Sequence, residues 1–233
     1  MTKPILLFDL DNTILNFNSG ERAALSAALR YFDIEPDEEL LSIYHKINIK
    51  YWEMLERGEL SRSKVLENRF DELFEVCGIN GCTGKEFQFV YGKHLGEQHD
   101  FMPGAEKLLE EIYEKNDLYI VSNGCTEIQA SRIADSGLEK YFKDFFISEK
   151  IGYDKPDICF FDYCFANIPA FSRDRAVIIG DSLTSDIKGG KNAGIATCWF
   201  NPWKKPIPID GKPDFVIYGL DELTKKLNRF VML

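Results

Sequence analysis

From Pro103 onward, short apolar runs alternate with segments of helical spacing, and that alternation leaves few folds open. DLYIVSN (117–123), KDFFIS (143–148), RAVIIGD (175–181), IATCWF (195–200) and DFVIY (214–218) read as strands. PGAEKLLEEIYEKN, TEIQASRIADSG, KPDICFFDYCFANI and TSDIKGGKNAG read as helices between them, and a last helix follows the final strand. Strands this short and this apolar, joined by helices, build a parallel sheet with right-handed crossovers. One more such run, residues 4–8, opens the chain and is too short for a helix.

Between Ser19 and about Asp100 the texture is helical throughout. GERAALSAALRYF is followed by a long segment that starts after Pro36 and stops at Gly58. A third begins at Ser61 or Ser63, as N-cap, and stops at Gly78; GKEFQFVYGKHLGEQHD makes a fourth. The expected organisation is an α/β unit, residues 1–16 and 101–233, interrupted by a helical module, residues 17–100. Hinges are expected near 15–20 and 98–103, and a module on two hinges beside a sheet edge is a candidate lid. The proline-rich stretch NPWKKPIPIDGKP, 201–213, reads as an ordered surface loop.

The formal charge is −10, which argues against a nucleic-acid polymer or an anionic membrane as partner. No apolar run is long enough to span a bilayer. No signal peptide is expected, because Lys3 and Pro4 precede a short apolar run. The six cysteines form no C-x-x-C pair and have no zinc spacing with histidine, so free thiols in a reducing cytoplasm are expected. Monomer and homodimer both stay open.

In open α/β sheets, ligands bind beyond the carboxyl ends of the strands. There the sequence places Asp9-Leu10-Asp11-Asn12-Thr13, Ser122-Asn123-Gly124, Lys155-Pro156-Asp157, and Gly180-Asp181-Ser182 with Asp186 soon after. Residues i and i+2 of an extended chain face one side, so Asp9 and Asp11 reach one reacting centre. One carboxylate can attack as nucleophile while the other moves a proton. Two carboxylates about 4 Å apart repel by roughly 4 kcal/mol at an effective dielectric of 20. The cluster with Asp181 therefore needs a cation, and all-oxygen ligands point to Mg2+. Lys155, Ser122 and the backbone N–H groups near Asn123 and Gly124 complete a site suited to phosphoryl transfer.

FDLDNT, VSNG, KPD and GDSLTSD, in this order and at these intervals, resemble the four motifs of the haloacid dehalogenase-like hydrolases. The resemblance spans nearly the whole chain. It implies a Rossmann-like parallel sheet flanked by helices, with an inserted all-helical cap. It implies Asp9 as the nucleophile that forms an aspartyl-phosphate, and Asp11 as general acid and then base. Asp9, the Asp11 carbonyl and Asp181 would hold Mg2+, with Asp186 beside them. Ser122 and Asn123 would bind the phosphoryl group, Lys155 would steady its charge, and Thr13 would hydrogen-bond within the first loop. Dehalogenases of the family lack the second aspartate, so Asp11 favours a phosphatase acting on a small phosphorylated metabolite.

INIKYWEMLERGEL, the following RF at 69–70, DLDNTILNF and VSNG are similar to the pyrimidine 5'-nucleotidase branch, which implies nucleoside 5'-monophosphates as substrates. Sugar phosphates and other small esters such as phosphoglycolate are the alternative, then a phosphomutase, and outside enzymes a ligand-binding regulatory protein. Asn16, Phe17, Trp52 and Arg69 are candidate substrate neighbours. Asn16 and Phe17 can equally shape the turn into the cap, Trp52 can be packing, and Arg69, like Lys50, can be solvated or ion-paired. The three histidines are assigned no chemistry, Cys125 reads as packing, and the GGKNAG glycines permit close helix packing.

Overall fold

The computed structural model describes residues 3–230, apart from the side chains of the last three of these. The elements run β1 (Ile5–Phe8), α1 (Phe17–Tyr31), α2 (Glu38–Glu56), α3 (Arg62–Cys77), α4 (Gly84–Gly96), α5 (Ala105–Ile112), β2 (Asp117–Ser122) and α6 (Thr126–Ser136). There follow β3 (Asp144–Ile147), α7 (Ser148–Ile151), α8 (Ile158–Asn167), β4 (Ala176–Gly180), α9 (Lys188–Ala193), β5 (Ala196–Phe200), β6 (Phe215–Ile217) and α10 (Leu223–Phe230).

The strands form one parallel sheet in the order β3-β2-β1-β4-β5-β6. β1 is central, with Phe8 level with Ile120 on one side and Ile179 on the other. Its four residues are fully buried and alternate between two cores. Leu6 and Phe8 join the helices of one face, Ile5 and Leu7 those of the other, as the strand pleat requires. The chain leaves β1 toward β2 on one side and meets β4 on the other, so the crevice beyond Phe8 is where the order reverses.

Helices α1 to α4 pack around a core of their own, in which the Phe70 ring lies 4.8 Å from Phe87, 5.1 Å from Tyr44 and 5.2 Å from Tyr91. Asp37 and Thr83 cap α2 and α4, Thr83 in a reciprocal box with Glu86. Ser61 stands at the N-cap of α3, but its hydroxyl faces Ser63 at 3.2 Å and caps no helix N–H.

The two connections between the helices and the sheet run side by side. Asn16 donates to the Asp100 carbonyl at 2.7 Å and Met102 to the Ile14 carbonyl at 2.8 Å, while Leu15 bridges Phe101. Asn12 turns the chain into this ladder at a positive φ of 56°, a conformation asparagine tolerates better than most residues, and its side chain is bonded to Asn18.

TSDIKGGKNAG is not one regular helix. A wide π turn, Leu183–Ile187, precedes α9 and tucks Asp186 beneath Gly180, where any Cβ would collide with the carboxylate. Gly189 and Gly190 then let α9 lie against Phe161 and Ile178, where a Cβ would sit 2.5 Å from each ring or methyl.

Candidate active site

Asp9 follows β1 directly and is nearly buried, its N–H fixed to the Ile179 carbonyl at 2.9 Å. Lys155 comes in from the segment after α7, its side chain 1% exposed. Its ammonium has three hydrogens and three acceptors: Asp9 Oδ1 at 2.7 Å, Asp186 Oδ1 at 2.7 Å and the Val121 carbonyl at 2.8 Å. The other Asp186 oxygen accepts from the Ser182 N–H at 3.1 Å.

Asp9, Asp181 and Asp186 each present an oxygen within 4.8 Å of the other two. Burial pushes Asp9 well above the carboxylate range; Lys155 pulls it down, and Asp186, Asp181 and Asp11 push it further up. Burial and the Asp186 charge lift Asp181 to about 8. Burial alone would lower the Lys155 ammonium, but Asp186 and Asp9 hold it above its ordinary value. One lysine does not neutralise three carboxylates, and a hard divalent cation fits this donor set.

Asp11 opens on the same cavity. Its carboxylate accepts from Gln129 Nε2 at 2.7 Å and pairs with Arg132 Nη1. Gln129 also donates to Ser122 Oγ at 2.9 Å and accepts from Arg132 at 2.8 Å. Arg132 is 1% exposed, and its Nη2 has no partner. Neither Gln129 nor Arg132 belongs to a motif. They sit at i and i+3 on α6, the one spacing that would have flagged them.

Three expectations are revised by what the side chains do. Thr13 is buried, but its hydroxyl has no partner, so the loop bond expected of it is not made. Asn16 caps α1, accepting from Ser19 at 3.1 Å, and does not line the cavity. The Asn123 amide clamps the Lys155 backbone with two 2.8 Å bonds, which leaves main-chain groups as what it offers a phosphoryl group. Ser122 is covered by Gln129 and lies behind the cavity wall. It already accepts from Gly124 N–H at 3.1 Å and from Gln129, so its own proton is what it can donate.

The cavity above the carboxylates measures about 670 Å³ and extends between the sheet edge and the helices. Phe17, Trp52 and Trp203 give it aromatic walls. Arg69 is not solvated or ion-paired. It is buried among aromatics, 4.8 Å from the Phe70 centroid, and donates to Gln88 at 2.6 Å and to Asn48. Asn48 Oδ1 also accepts from Trp52 Nε1 at 3.0 Å, and Asn48 Nδ2 donates to Glu21 at 2.6 Å. The second Glu21 oxygen lies 2.6 Å from His45 Nδ1, and this bond, against some burial, holds His45 above its ordinary pKa. Lys50, by contrast, is paired with Glu72. Glu56 reaches down from α2 and is lifted to about 7, chiefly by burial. The sequence reading missed Glu21, His45, Asn48 and Glu56, which are ordinary helix residues until α1 and α2 face each other. It also missed Trp203 and Lys205, which the loop after β5 brings to the cavity.

The haloacid dehalogenase-like hydrolase family profile matches residues 6–200. HAD-hydrolase YfnB of Bacillus subtilis is 40% identical over 223 residues, 96% of this chain and 94% of the relative. Pyrimidine 5'-nucleotidase PynA of Streptococcus pneumoniae is 36% identical over 231 residues, 97% of this chain and 96% of the relative. A crystal structure of YfnB bound to magnesium, which reveals interdomain movement, superposes with a TM-score of 0.93 at 39% identity, over 98% of this chain and 100% of that one.

Proposed function

We infer that this chain, which belongs to the haloacid dehalogenase-like hydrolases, is a Mg2+-dependent phosphomonoesterase that hydrolyses nucleoside 5'-monophosphates. The observation that carries the reading is the triad of buried Asp9 and Asp186, which share Lys155, with half-buried Asp181 beside them at the end of β1. Asp9 is the nucleophile: its free oxygen attacks phosphorus and forms an acyl phosphate. Asp11, fixed by Arg132 and Gln129, protonates the departing ester oxygen and then takes a proton from the water that hydrolyses the intermediate. Lys155 holds Asp9 in position and offsets charge on the transferring group. Asp9, Asp181 and Asp186, with the Asp11 carbonyl, would hold Mg2+, which when bound supplies electrophilic stabilisation of the phosphoryl oxygens. The Asn123–Gly124 main chain, which lines the cavity, would meet the same oxygens, with the Ser122 hydroxyl bracing it from behind.

The cavity supports a nucleoside as leaving group. Its volume is that of a small-molecule site. Its aromatic walls suit a planar base, and the Asn48–Arg69–Glu21 network offers fixed polar atoms for a base edge. PynA, a pyrimidine 5'-nucleotidase by name, supports the same choice. Residues 17–100 act as a cap on a 1–16 plus 101–233 core. The free thiols support a reducing, cytoplasmic setting, and among the described residues no helix is long and apolar enough to cross a membrane.

The test is phosphate release from a panel of nucleotides, sugar phosphates and phosphoglycolate, with Mg2+ and with chelator. The expected outcome is Mg2+-dependent release led by nucleoside monophosphates, abolished in a folded Asp9→Asn variant. Release led by a sugar phosphate removes the nucleotidase assignment, and an active Asp9→Asn removes the mechanism.

A further inference from the structure

Arg62 opens α3 but spends its guanidinium on the α/β part of the molecule. Nη1 donates to the Asn123 carbonyl at 2.6 Å and to the Gly124 carbonyl at 3.3 Å. Nη2 donates to Ser148 Oγ at 2.5 Å and pairs with Asp154. The side chain is 13% exposed and does not line the main cavity, although its guanidinium lies 5.7 Å from the ring of Trp52, which does. It therefore stands behind the residues that line the cavity.

What it does touch is the frame of the phosphoryl site. A trans peptide carries its C=O and N–H on opposite sides, so holding the Asn123 carbonyl also orients the Gly124 N–H. That N–H donates to Ser122 Oγ at 3.1 Å. The Asn123 side chain in turn grips the Lys155 backbone, and Asp154 is the residue before Lys155. One planar fork thus joins the turn after β2 to the segment that presents the catalytic lysine. A lysine ammonium would not match this pattern, because four acceptors in two directions suit a guanidinium.

We propose that Arg62 is a positioning residue: seated by the helical unit, it fixes the Asn123–Gly124 peptides and the Asp154–Lys155 segment, so that the phosphoryl site is complete only when that unit is docked. The proposal rests on the hydrolase reading above. It differs from a simple ion-pair tether, which would act through Asp154 alone.

The experiment compares wild type, Arg62→Ala, Arg62→Lys and Asp154→Asn as full-length chains with Mg2+, measuring kcat and KM for a nucleoside monophosphate and for p-nitrophenyl phosphate, and thermal midpoints. Displacing preorganised groups costs about 10- to 100-fold in turnover, so Arg62→Ala should lose that much kcat on both esters with little change in KM. Arg62→Lys should stay near Arg62→Ala, Asp154→Asn should lose clearly less than Arg62→Ala because the hold on the Asn123 and Gly124 carbonyls survives, and added guanidinium should restore part of the Arg62→Ala rate. Wild-type kcat in Arg62→Ala, full rescue by lysine, or an equal loss in Asp154→Asn each overturns the proposal. The midpoints show whether a loss of rate is a loss of folded protein, and guanidinium rescue keeps the question decidable if they fall. A wild type that releases no phosphate overturns the hydrolase reading and this proposal together; an active wild type indifferent to Arg62 overturns this proposal alone.

Discussion

Lys155→Met isolates the electrostatic core of the site. The substitution keeps the apolar stem and removes the ammonium that donates to Asp9, Asp186 and Val121. All three charged residues are nearly or fully buried, with residual exposures of 1% for Lys155, 7% for Asp9 and 0% for Asp186. Removing one partner of a buried pair costs about 3–5 kcal/mol, because the other charge stays uncompensated. At about 2–4 °C per kcal/mol for a chain of this size, the midpoint in chelator at pH 7 should fall by roughly 6–20 °C. The deficit should also depend on pH. Burial pushes the folded Asp9 above its unfolded value of 3.8, while Lys155 opposes the rise. A carboxyl raised in the folded state binds more protons folded than unfolded, so stability falls as pH rises from the unfolded value through the folded one. Losing Lys155 removes the opposing pull and steepens that fall. The deficit should therefore be small near the unfolded value and grow as pH rises. Mg2+ binding to the native state alone adds about 2.7 kcal/mol at 100 times its Kd, and without the competing ammonium the carboxylates should bind Mg2+ more tightly, so Mg2+ should narrow the gap. Thermal melts of both chains across pH, with chelator and with Mg2+, make the comparison. A variant that melts with wild type at pH 7 in chelator, or a deficit that ignores pH, refutes this account of the cluster.

Asn48→Leu removes the acceptor of Arg69 and Trp52 and a donor to Glu21, and each buried group left unsatisfied costs about 1–3 kcal/mol. Urea unfolding should show the loss, and KM should rise for nucleotides but not for p-nitrophenyl phosphate. Gly180→Ala drives a Cβ into the Asp186 carboxylate, and such overpacking costs about 1–3 kcal/mol; calorimetry should show weakened Mg2+ binding. His45 should titrate in NMR above free imidazole, and Glu21→Gln should bring it down, with Lys205 the opposing charge nearby. Whatever stability this pair contributes is present below the unfolded histidine value and is lost as pH rises through the raised one.

Legibility followed chain locality. Asp9, Asp11 and Asp181 were readable because each stands just past an apolar strand, and Lys155 and Asp186 because each follows one after a short segment; a parallel sheet brings such positions to one edge. The strand order was not readable, since short apolar runs carry no pairing code. Asn16, Asn123 and Thr13 were placed in the right neighbourhood, but a polar side chain beside a site can serve the backbone instead of the ligand. Asn123 clamps Lys155 and Asn16 caps α1. Arg69 looked like a surface residue because its aromatic surroundings come from three different helices. Gln129 and Arg132 sit on the polar side of α6, and only the fold turns that side toward Asp11.

The paired connections at Asn16 and Asp100 have a consequence for ancestry and engineering. Because entry and exit are hydrogen-bonded neighbours, the sheet experiences everything from α1 to α4 as if it were the tip of a hairpin. A cassette of any size that brings its two ends together can be spliced at that point without disturbing strand order or the carboxylate edge. The carboxylate edge of the sheet is kept in such an exchange. The seam to redesign in such a graft is the few side chains that cross it, Arg62 first among them.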